Sequence, residues 1–439
     1  MKTPVLDAIG VGFGPANLAL AVAMRDQGVS ASIRFQEMRK DFAWQPTMML
    51  RGSDIQHNPL RDLITPVNPR SPFGFVSYMH QSGRFFEYLN LGAPYPLRRE
   101  FAAYVEWVAE HFDDVVDYDA QVEGIEIVPH QTQGPLARIT RADGRQFHAR
   151  NVVVGPGRSR NIPKEFRNLL GPKVFHLMDY LPRLTAMKKP RRIAVIGGSQ
   201  SAVEILLDLD SRFPDAEITG ITRKFGYRLK DTSPFTGEVY FPDFTDYYHA
   251  ASWENRMALS AELRGTNYAS ADGDVINQLY LRRYESKLEG QPQHLAVLGS
   301  STVERARETQ TGIEIDLIDT HSGHRSSSTF DAVVLATGFL DFGTGGQREL
   351  SHPLIQPLME YYDFTPGQGF EVSRDYALIG DPALPGIYLN GLCESTHGFG
   401  DAGSFSLLSL RAHEICKSLG QRIGTAAHTA SPVRETELA

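Results

Sequence analysis

The sequence predicts an α/β protein with two Rossmann-like dinucleotide-binding domains, the second inserted in the first, and a small substrate-binding region. Three observations carry this. An apolar strand, a glycine turn and an apolar helix run in order from Val5 to Met24. The same order returns from Arg191 to Leu207, and a third strand-then-glycine unit runs from Ala332 to Phe339. Short apolar strands alternating with helices mark a parallel sheet covered on both faces.

In the first unit Val5, Leu6, Ala8 and Ile9 read as one buried strand. It breaks at Gly10-Val11-Gly12-Phe13-Gly14-Pro15 and resumes as a helix carrying Leu18, Leu20 and Val22. Gly10 permits the tight turn, and Gly12 lets a pyrophosphate approach the backbone at the helix N-terminus. Pro15 replaces the third glycine of the fingerprint. Glu37 ends a second strand, Ser32 to Gln36, about where a ribose hydroxyl is held. From Asp41 to Arg98 regular pattern is poor, and such a segment lines or covers a site. A helix is expected from Glu100, then β-rich stretches over Gln121–Val128 and Ala137–Thr140, then a buried strand over Asn151–Val154 ending in glycines.

The second unit has the strand Ile193–Ile196, the turn Gly197-Gly198-Ser199-Gln200-Ser201-Ala202 and the helix Val203–Leu207. Its following strand, Glu217–Thr222, ends in Arg223-Lys224 rather than an acid. Two cations there suit a 2′-phosphate, hence NADPH over NADH. Asp231 to Tyr268 reads as long and irregular, with an aromatic cluster that includes Tyr240. The strand Ala332–Leu335 reads as a return into the first domain. A last strand near Gly386–Leu389 leads to a helix near Ser406–Ile415. The expected domains are 1–188, the inserted 189–325 with a substrate-contacting segment at 231–268, and 326–423 with a substrate helix. Residues 424–439, small and polar, are expected to be disordered.

A net charge of −8 over 439 residues argues against a general nucleic-acid surface, and no apolar run reaches membrane-spanning length. The N-terminus enters a strand at once, leaving no room for a signal peptide. Cys393 and Cys416 stand alone, without CxxC or zinc spacing, which points to a cytoplasmic protein with neither a dithiol centre nor a metal.

Two fingerprints of different charge preference suggest FAD in the first and NADPH in the second, with hydride passing from nicotinamide to flavin. Without a dithiol to take the electrons, molecular oxygen is the remaining simple acceptor, and a monooxygenase is favoured over a reductase.

At this point the residues resemble a known family. GFGPANLALA at 12–21, the Trp44-Gln45-Pro46 region, DIQHNPLRDL at 54–63, NPRSPFGFVSYMHQSGRFFEYLNL at 68–91, GGSQSAVE at 197–204, TNY at 266–268, ATGF at 336–339 and THG at 396–398 are similar to the N-hydroxylating flavin monooxygenases. Those enzymes oxidise ornithine, lysine or related primary amines in siderophore pathways. The resemblance implies that Gly10, Gly12, Gly14, Pro15, Ala16, Asn17, Glu37, Trp44, Gln56, Thr337, Gly338, His397 and Gly398 hold FAD, with Gln56 beside the flavin ring. It implies that Gly197, Ser199, Gln200, Ser201, Arg223, Lys224 and Asn267 hold NADP(H). Arg61, Gly237 and Asn267, with Ser404 or Ser409, face the substrate, and Gln56 and Asn267 serve catalysis. A dimer or tetramer fits the resemblance.

Three positions depart from the family pattern. Arg61 stands where a lysine is usual, Gly237 where an asparagine is usual, and Gln45 where a histidine is common. Gly237 has no side chain for an amino-acid head group, which points to putrescine, cadaverine or histamine. Arg61 points the other way, since a guanidinium suits a carboxylate. The implied chemistry is oxygen addition at flavin C4a and transfer of the distal oxygen to the amine, giving a hydroxylamine. An alkylamine of pKa ~10.4 must be neutral to react, so the pocket has to favour the uncharged form. Alternatives are a Baeyer–Villiger or sulfur-oxidising flavin enzyme, because GPKVFHLMDY at 171–180 resembles a histidine motif of that wider class, and a non-catalytic NADPH-binding protein.

Overall fold

The computed structural model describes residues 4–290 and 294–429. Two five-stranded parallel sheets organise it. The first has the order Gly386–Leu389, Asn151–Val154, Ala8–Val11, Ile33–Gln36, Val116–Asp117. All four residues of Ala8–Val11 are buried, because helices and loops cover both faces. The expected single strand from Val5 is two strands. Val5–Leu6 pairs with His148–Ala149 in a separate four-stranded sheet. The break falls at Asp7, whose carboxylate accepts from Ser32 and Arg150 and whose carbonyl accepts from Asn151. A polar residue so held cannot continue a doubly buried strand.

The second sheet has the order Leu295–Leu298, Glu217–Ile221, Arg192–Ile196, Ala332–Leu335, Val174–His176. Ala332–Leu335 therefore lies between Arg192–Ile196 and Val174–His176, not in the first sheet. The boundaries expected at 188/189 and 325/326 cut across this sheet. The physical reason is that a short, wholly apolar strand fits the middle of either sheet, and its composition does not name its neighbours. Ile193, Val195 and Val334 face a core built with the helices Tyr180–Ala186, Gln200–Arg212 and Gly273–Leu288. Ala194, Val333 and Leu335 face the other way, onto the antiparallel sheet Ser301–Thr309, Gly312–Asp319, Arg325–Phe330.

The two segments expected to be irregular contain helices. Residues 41–98 include Phe75–Gln81 and Phe85–Leu91, and the next helix starts at Arg98. Residues 231–268 fold into Pro242–Ala250 and Trp253–Glu262, the first with proline in its first turn and the second capped by Ser252 Oγ accepting from Asn255 N. The last helix, Leu408–Thr429, runs through the start of the expected tail; residues 430–439 of that tail lie outside the described residues. Among the described residues no helix is long and apolar enough to cross a membrane, and no cluster of His, Cys, Asp or Glu is set to hold a metal.

Candidate active site

The first nucleotide cradle is formed where three strands end. Gly12 has φ +80°, and a Cβ there would lie 2.5 Å from the Gly155 carbonyl oxygen, so only glycine brings the turn this close to the next strand. Beyond it the space at Gly14 is open, with no atom within 4 Å of a Cβ position, and no side chain caps the helix Pro15–Asp26. Gly12, Gly14, Pro15 and Ala16 are all partly exposed at this mouth, and Gly10 lies beneath, packed on the Phe35 ring. Free helix N–H groups and an open approach fit a dinucleotide pyrophosphate. Glu37 is 8 % exposed and stands at the turn, Oε2 accepting from Phe13 N at 2.7 Å and Oε1 from Arg39 N at 3.0 Å.

Asn17, expected at the flavin, turns its side chain inward. Nδ2 donates to the Gly12 carbonyl at 2.7 Å and Oδ1 accepts from Asn390 Nδ2 at 2.9 Å. Asn390 in turn accepts from Arg411, which is paired with Asp401 in the core. Sequence reading missed Asn390, Arg411 and Asp401, which join a turn to a helix some 390 positions later in the chain. The His397 side chain, also expected at the flavin, is likewise turned into the core. It is 1 % exposed, stacks on Tyr376 at 4.1 Å, and has one ring nitrogen against Thr396 and the other against the Arg374 carbonyl. A group this enclosed presents no surface to a ligand. Gly398 beside it backs onto the Phe244 ring.

Thr337 and Gly338 lie where the chain leaves the second sheet. The Thr337 hydroxyl is spent on the Asn161 carbonyl at 2.5 Å, and the Gly338 carbonyl accepts from His176 Nε2 at 2.9 Å. His176, the residue of the alternative motif, is buried, its other nitrogen accepts from Met178 N, and burial pushes its pKa down to about 4. It is a packed linker histidine.

An aromatic wall stands beside the first cradle. Trp44 meets Phe101 and Phe405 edge-on at 5.8 and 5.2 Å, and His57 stacks on Phe405 at 5.6 Å. Burial pushes His57 down to about 4, so it stays neutral. One residue before it, Gln56 adopts φ +62°, its N–H donating to Asp54 Oδ1 at 3.0 Å.

Four separate segments then close a ring. Arg61 Nη1 donates to Ser406 Oγ at 3.1 Å, and Ser404 Oγ donates to Ser406 Oγ at 2.8 Å. The Arg61 guanidinium lies 5.8 Å from the Tyr240 ring, and Tyr240 OH reaches the Thr266 carbonyl at 3.4 Å. Asn267 follows, its buried Nδ2 without a hydrogen-bond partner and 3.2 Å from the Cβ position of Gly403, next to Ser404. The ring thus runs through Arg61, Ser406, Ser404, Asn267 and Tyr240. Ser406 is the link that sequence reading missed. Ser404 belongs to the ring; Ser409 is 1 % exposed and turned into the core. Gly237 lies one turn before Tyr240 with open space at its Cβ position.

Behind Asn267 sits a charged cluster. Tyr268 OH donates to Glu394 Oε2 at 2.5 Å and accepts from Arg158, which also pairs with Asp341 at 2.9 Å. Burial and the Asp341 charge push Glu394 up to about 8, opposed by Arg158. Two carboxyl groups here share one guanidinium, which favours the protonated form of Glu394.

The second cradle repeats the first with different chemistry. A Cβ on Gly197 would lie 2.4 Å from the Ala336 carbonyl oxygen, and Ser199 begins the helix Gln200–Arg212 without a side-chain cap. Ser199 and Ser201 are partly exposed at its mouth. Gln200, partly exposed, is tied at both ends of its amide: its Oε1 accepts from Asp272 N at 2.8 Å and its Nε2 donates to Glu204 at 3.1 Å. Arg223 and Lys224 stand exposed at the strand end, neither in an ion pair among the described residues.

Residues 4–341 match the family model for L-lysine 6-monooxygenase/L-ornithine 5-monooxygenase. The chain belongs to this family of flavin N-monooxygenases. It is 38 % identical to L-ornithine N(5)-monooxygenase of Pseudomonas aeruginosa over 438 residues, covering 96 % of each chain. The solved ornithine N-hydroxylase of a Kutzneria species, with reduced FAD, NADP+ and L-ornithine, matches with TM-score 0.87 at 31 % identity, covering 96 % of this chain and 100 % of that one. The L-lysine 6-monooxygenase of Pseudomonas syringae matches with TM-score 0.84 at 34 % identity, covering 95 % and 100 %. This N-monooxygenase therefore uses FAD and NADPH, and the Baeyer–Villiger and non-catalytic readings are set aside.

Proposed function

We propose that this enzyme hydroxylates the terminal amine of an ornithine-like amino acid, with FAD in the Gly12–Glu37 cradle and NADPH in the Gly197–Lys224 cradle. The observation that carries this reading is the position of Arg61. Its guanidinium is anchored by Ser406 and backed by Tyr240 on one side of the ring, while Asn267 offers an unspent N–H on the other. A guanidinium so fixed suits a carboxylate at one end of the substrate. The curated ornithine relatives support it.

The bound cofactors supply hydride transfer and oxygen activation; the net reaction consumes NADPH, a proton, oxygen and the amine and yields NADP+, water and the hydroxylamine. The protein's part is binding, orientation and exclusion of water. Arg61 and Ser404–Ser406 fix the head group. An N–H on Asn267 can face the lone pair of a neutral amine but not an ammonium, which favours the uncharged form. Trp44, neutral His57, Phe101 and Phe405 give the flavin side an apolar wall against water.

A second reading, a diamine or histamine, is favoured by the open space at Gly237. Hydroxylamine formation measured across ornithine, lysine, putrescine, cadaverine and histamine separates the two. Ornithine is expected to be turned over best, and Arg61→Ala to raise its KM about ten- to hundredfold, the worth of a charge-assisted pair. A wild-type enzyme that prefers putrescine or histamine, with KM indifferent to Arg61→Ala, refutes the carboxylate reading.

A further inference from the structure

A buried ion pair joins the two nucleotide domains at a place the chemistry above does not use. Glu204 lies one turn into the helix that opens at the second fingerprint. Its Oε1 accepts from Arg98 Nη2 at 2.9 Å and its Oε2 from Arg98 Nη1 at 3.0 Å, and both side chains are under a tenth exposed.

Each partner then holds part of the active site. Arg98 Nη1 also donates to the Met48 carbonyl at 2.9 Å, and Nη2 to the Asp54 carbonyl at 3.2 Å. Asp54 holds the N–H of Gln56, which keeps a left-handed backbone. On the other side, Glu204 accepts from Gln200, and Gln200 holds the N–H of Asp272 and donates its own N–H to the Ser270 carbonyl. That loop begins at Asn267. Met48 and Leu50, from the first domain's chain, are buried in the second domain's core, so this strap already crosses between the two.

Burying an ion pair gives little net stability, and an apolar pair of similar volume does as well. An apolar pair could not also hold two backbone carbonyls and a glutamine amide. We propose that Glu204 and Arg98 are positioning residues: through Asp54 they set Gln56, through Gln200 they set the Asn267 loop, and so they fix the nicotinamide helix against the flavin face. The proposal rests on the assignment of Gln56 to the flavin and Asn267 to the substrate.

The test is hydrogen exchange on the FAD-loaded enzyme without NADP(H), paired with kinetics. In Glu204→Gln, amide exchange is expected to rise about tenfold in both 48–57 and 266–272, with 5–37 unchanged. In turnover, kcat is expected to fall about ten- to hundredfold with the NADPH KM within about twofold, because Arg223 and Lys224 are untouched. Hydroxylamine formed per NADPH is expected to fall, and peroxide to rise. Arg98→Lys, which keeps the charge but not the two-pronged pairing, is expected to shift every readout the same way and less; it decides the matter alone if Glu204→Gln does not fold. One segment loosening without the other, neither loosening, or a KM rise with kcat unchanged overturns the proposal. Should wild-type enzyme hydroxylate none of the amines tested, the substrate reading fails while the exchange data still judge this one.

Discussion

The two nucleotide cradles share a backbone plan and differ in where their charge sits. In the first, the acidic residue is enclosed and bonded to its own turn, and a buried chain from Asn17 through Asn390 to Arg411 and Asp401 braces the turn from below. In the second, the charges are the exposed Arg223 and Lys224, and the polar residue of the fingerprint, Gln200, is committed to the neighbouring loop. Buried, fully bonded polar groups make a rigid cradle that loses little entropy on binding. Exposed cations attract an anion without enclosing it. The contrast is between a cradle braced from within and one that presents its charge to solvent.

The largest effect is expected where the first cradle is tightest. Gly12→Ala combines a positive φ with a 2.5 Å approach to the Gly155 oxygen, a cost of about 2–6 kcal/mol from strain and overpacking together. The purified variant is expected to lose its FAD, read from the flavin absorbance per protein. Retention of full flavin content would show that the brace beneath the turn does not depend on that close approach. Next in size is the exposed pair. Arg223→Ala is expected to raise the NADPH KM about ten- to hundredfold and the NADH KM less than about twofold. Equal effects on the two cofactors would remove the 2′-phosphate from the argument and, with it, half of the contrast.

Local features of this fold were legible because each depends on neighbours in sequence. The glycine turns, the acid at Glu37 and the cations at 223–224 lie within one strand–turn–helix–strand unit, where spacing alone fixes geometry. Resemblance placed Gln56, Arg61 and Asn267 near one another in role, and the structure brings Arg61 and Asn267 into one ring. What could not be read was partnership across distance. The strand Ala332–Leu335 would fit either sheet. His397 and Asn17 lie in motifs the resemblance assigned to the flavin, yet their side chains serve the core. Ser406 and Arg98 look like ordinary polar residues until their partners, hundreds or scores of positions away, are in view. The helices within 231–268 were legible in principle from Pro242 and Ser252, but the aromatic clustering there obscured the helical period.

The smallest expected effect concerns the junction between the cradles, where Glu394 is buried beside Arg158, Asp341, Tyr268 and Asp401. Burial and the Asp341 charge raise its pKa from 4.5 to about 8. The folded state therefore holds a proton that the unfolded chain releases above its ordinary carboxylate range. Between about pH 4.5 and 8 the native state binds more protons than the unfolded state, so this residue's contribution to stability falls as pH rises through that window and is level above it. Glu394→Gln removes the titration while keeping the hydrogen bond from Tyr268. The melting temperature of the wild type minus that of the variant is expected to decline from pH 5 to pH 8 and then flatten. A difference that stays constant, or grows with pH, would mean that Arg158 neutralises Glu394 rather than Asp341. The junction would then carry fixed charge like the second cradle, instead of a proton held by enclosure like the groups beneath the first.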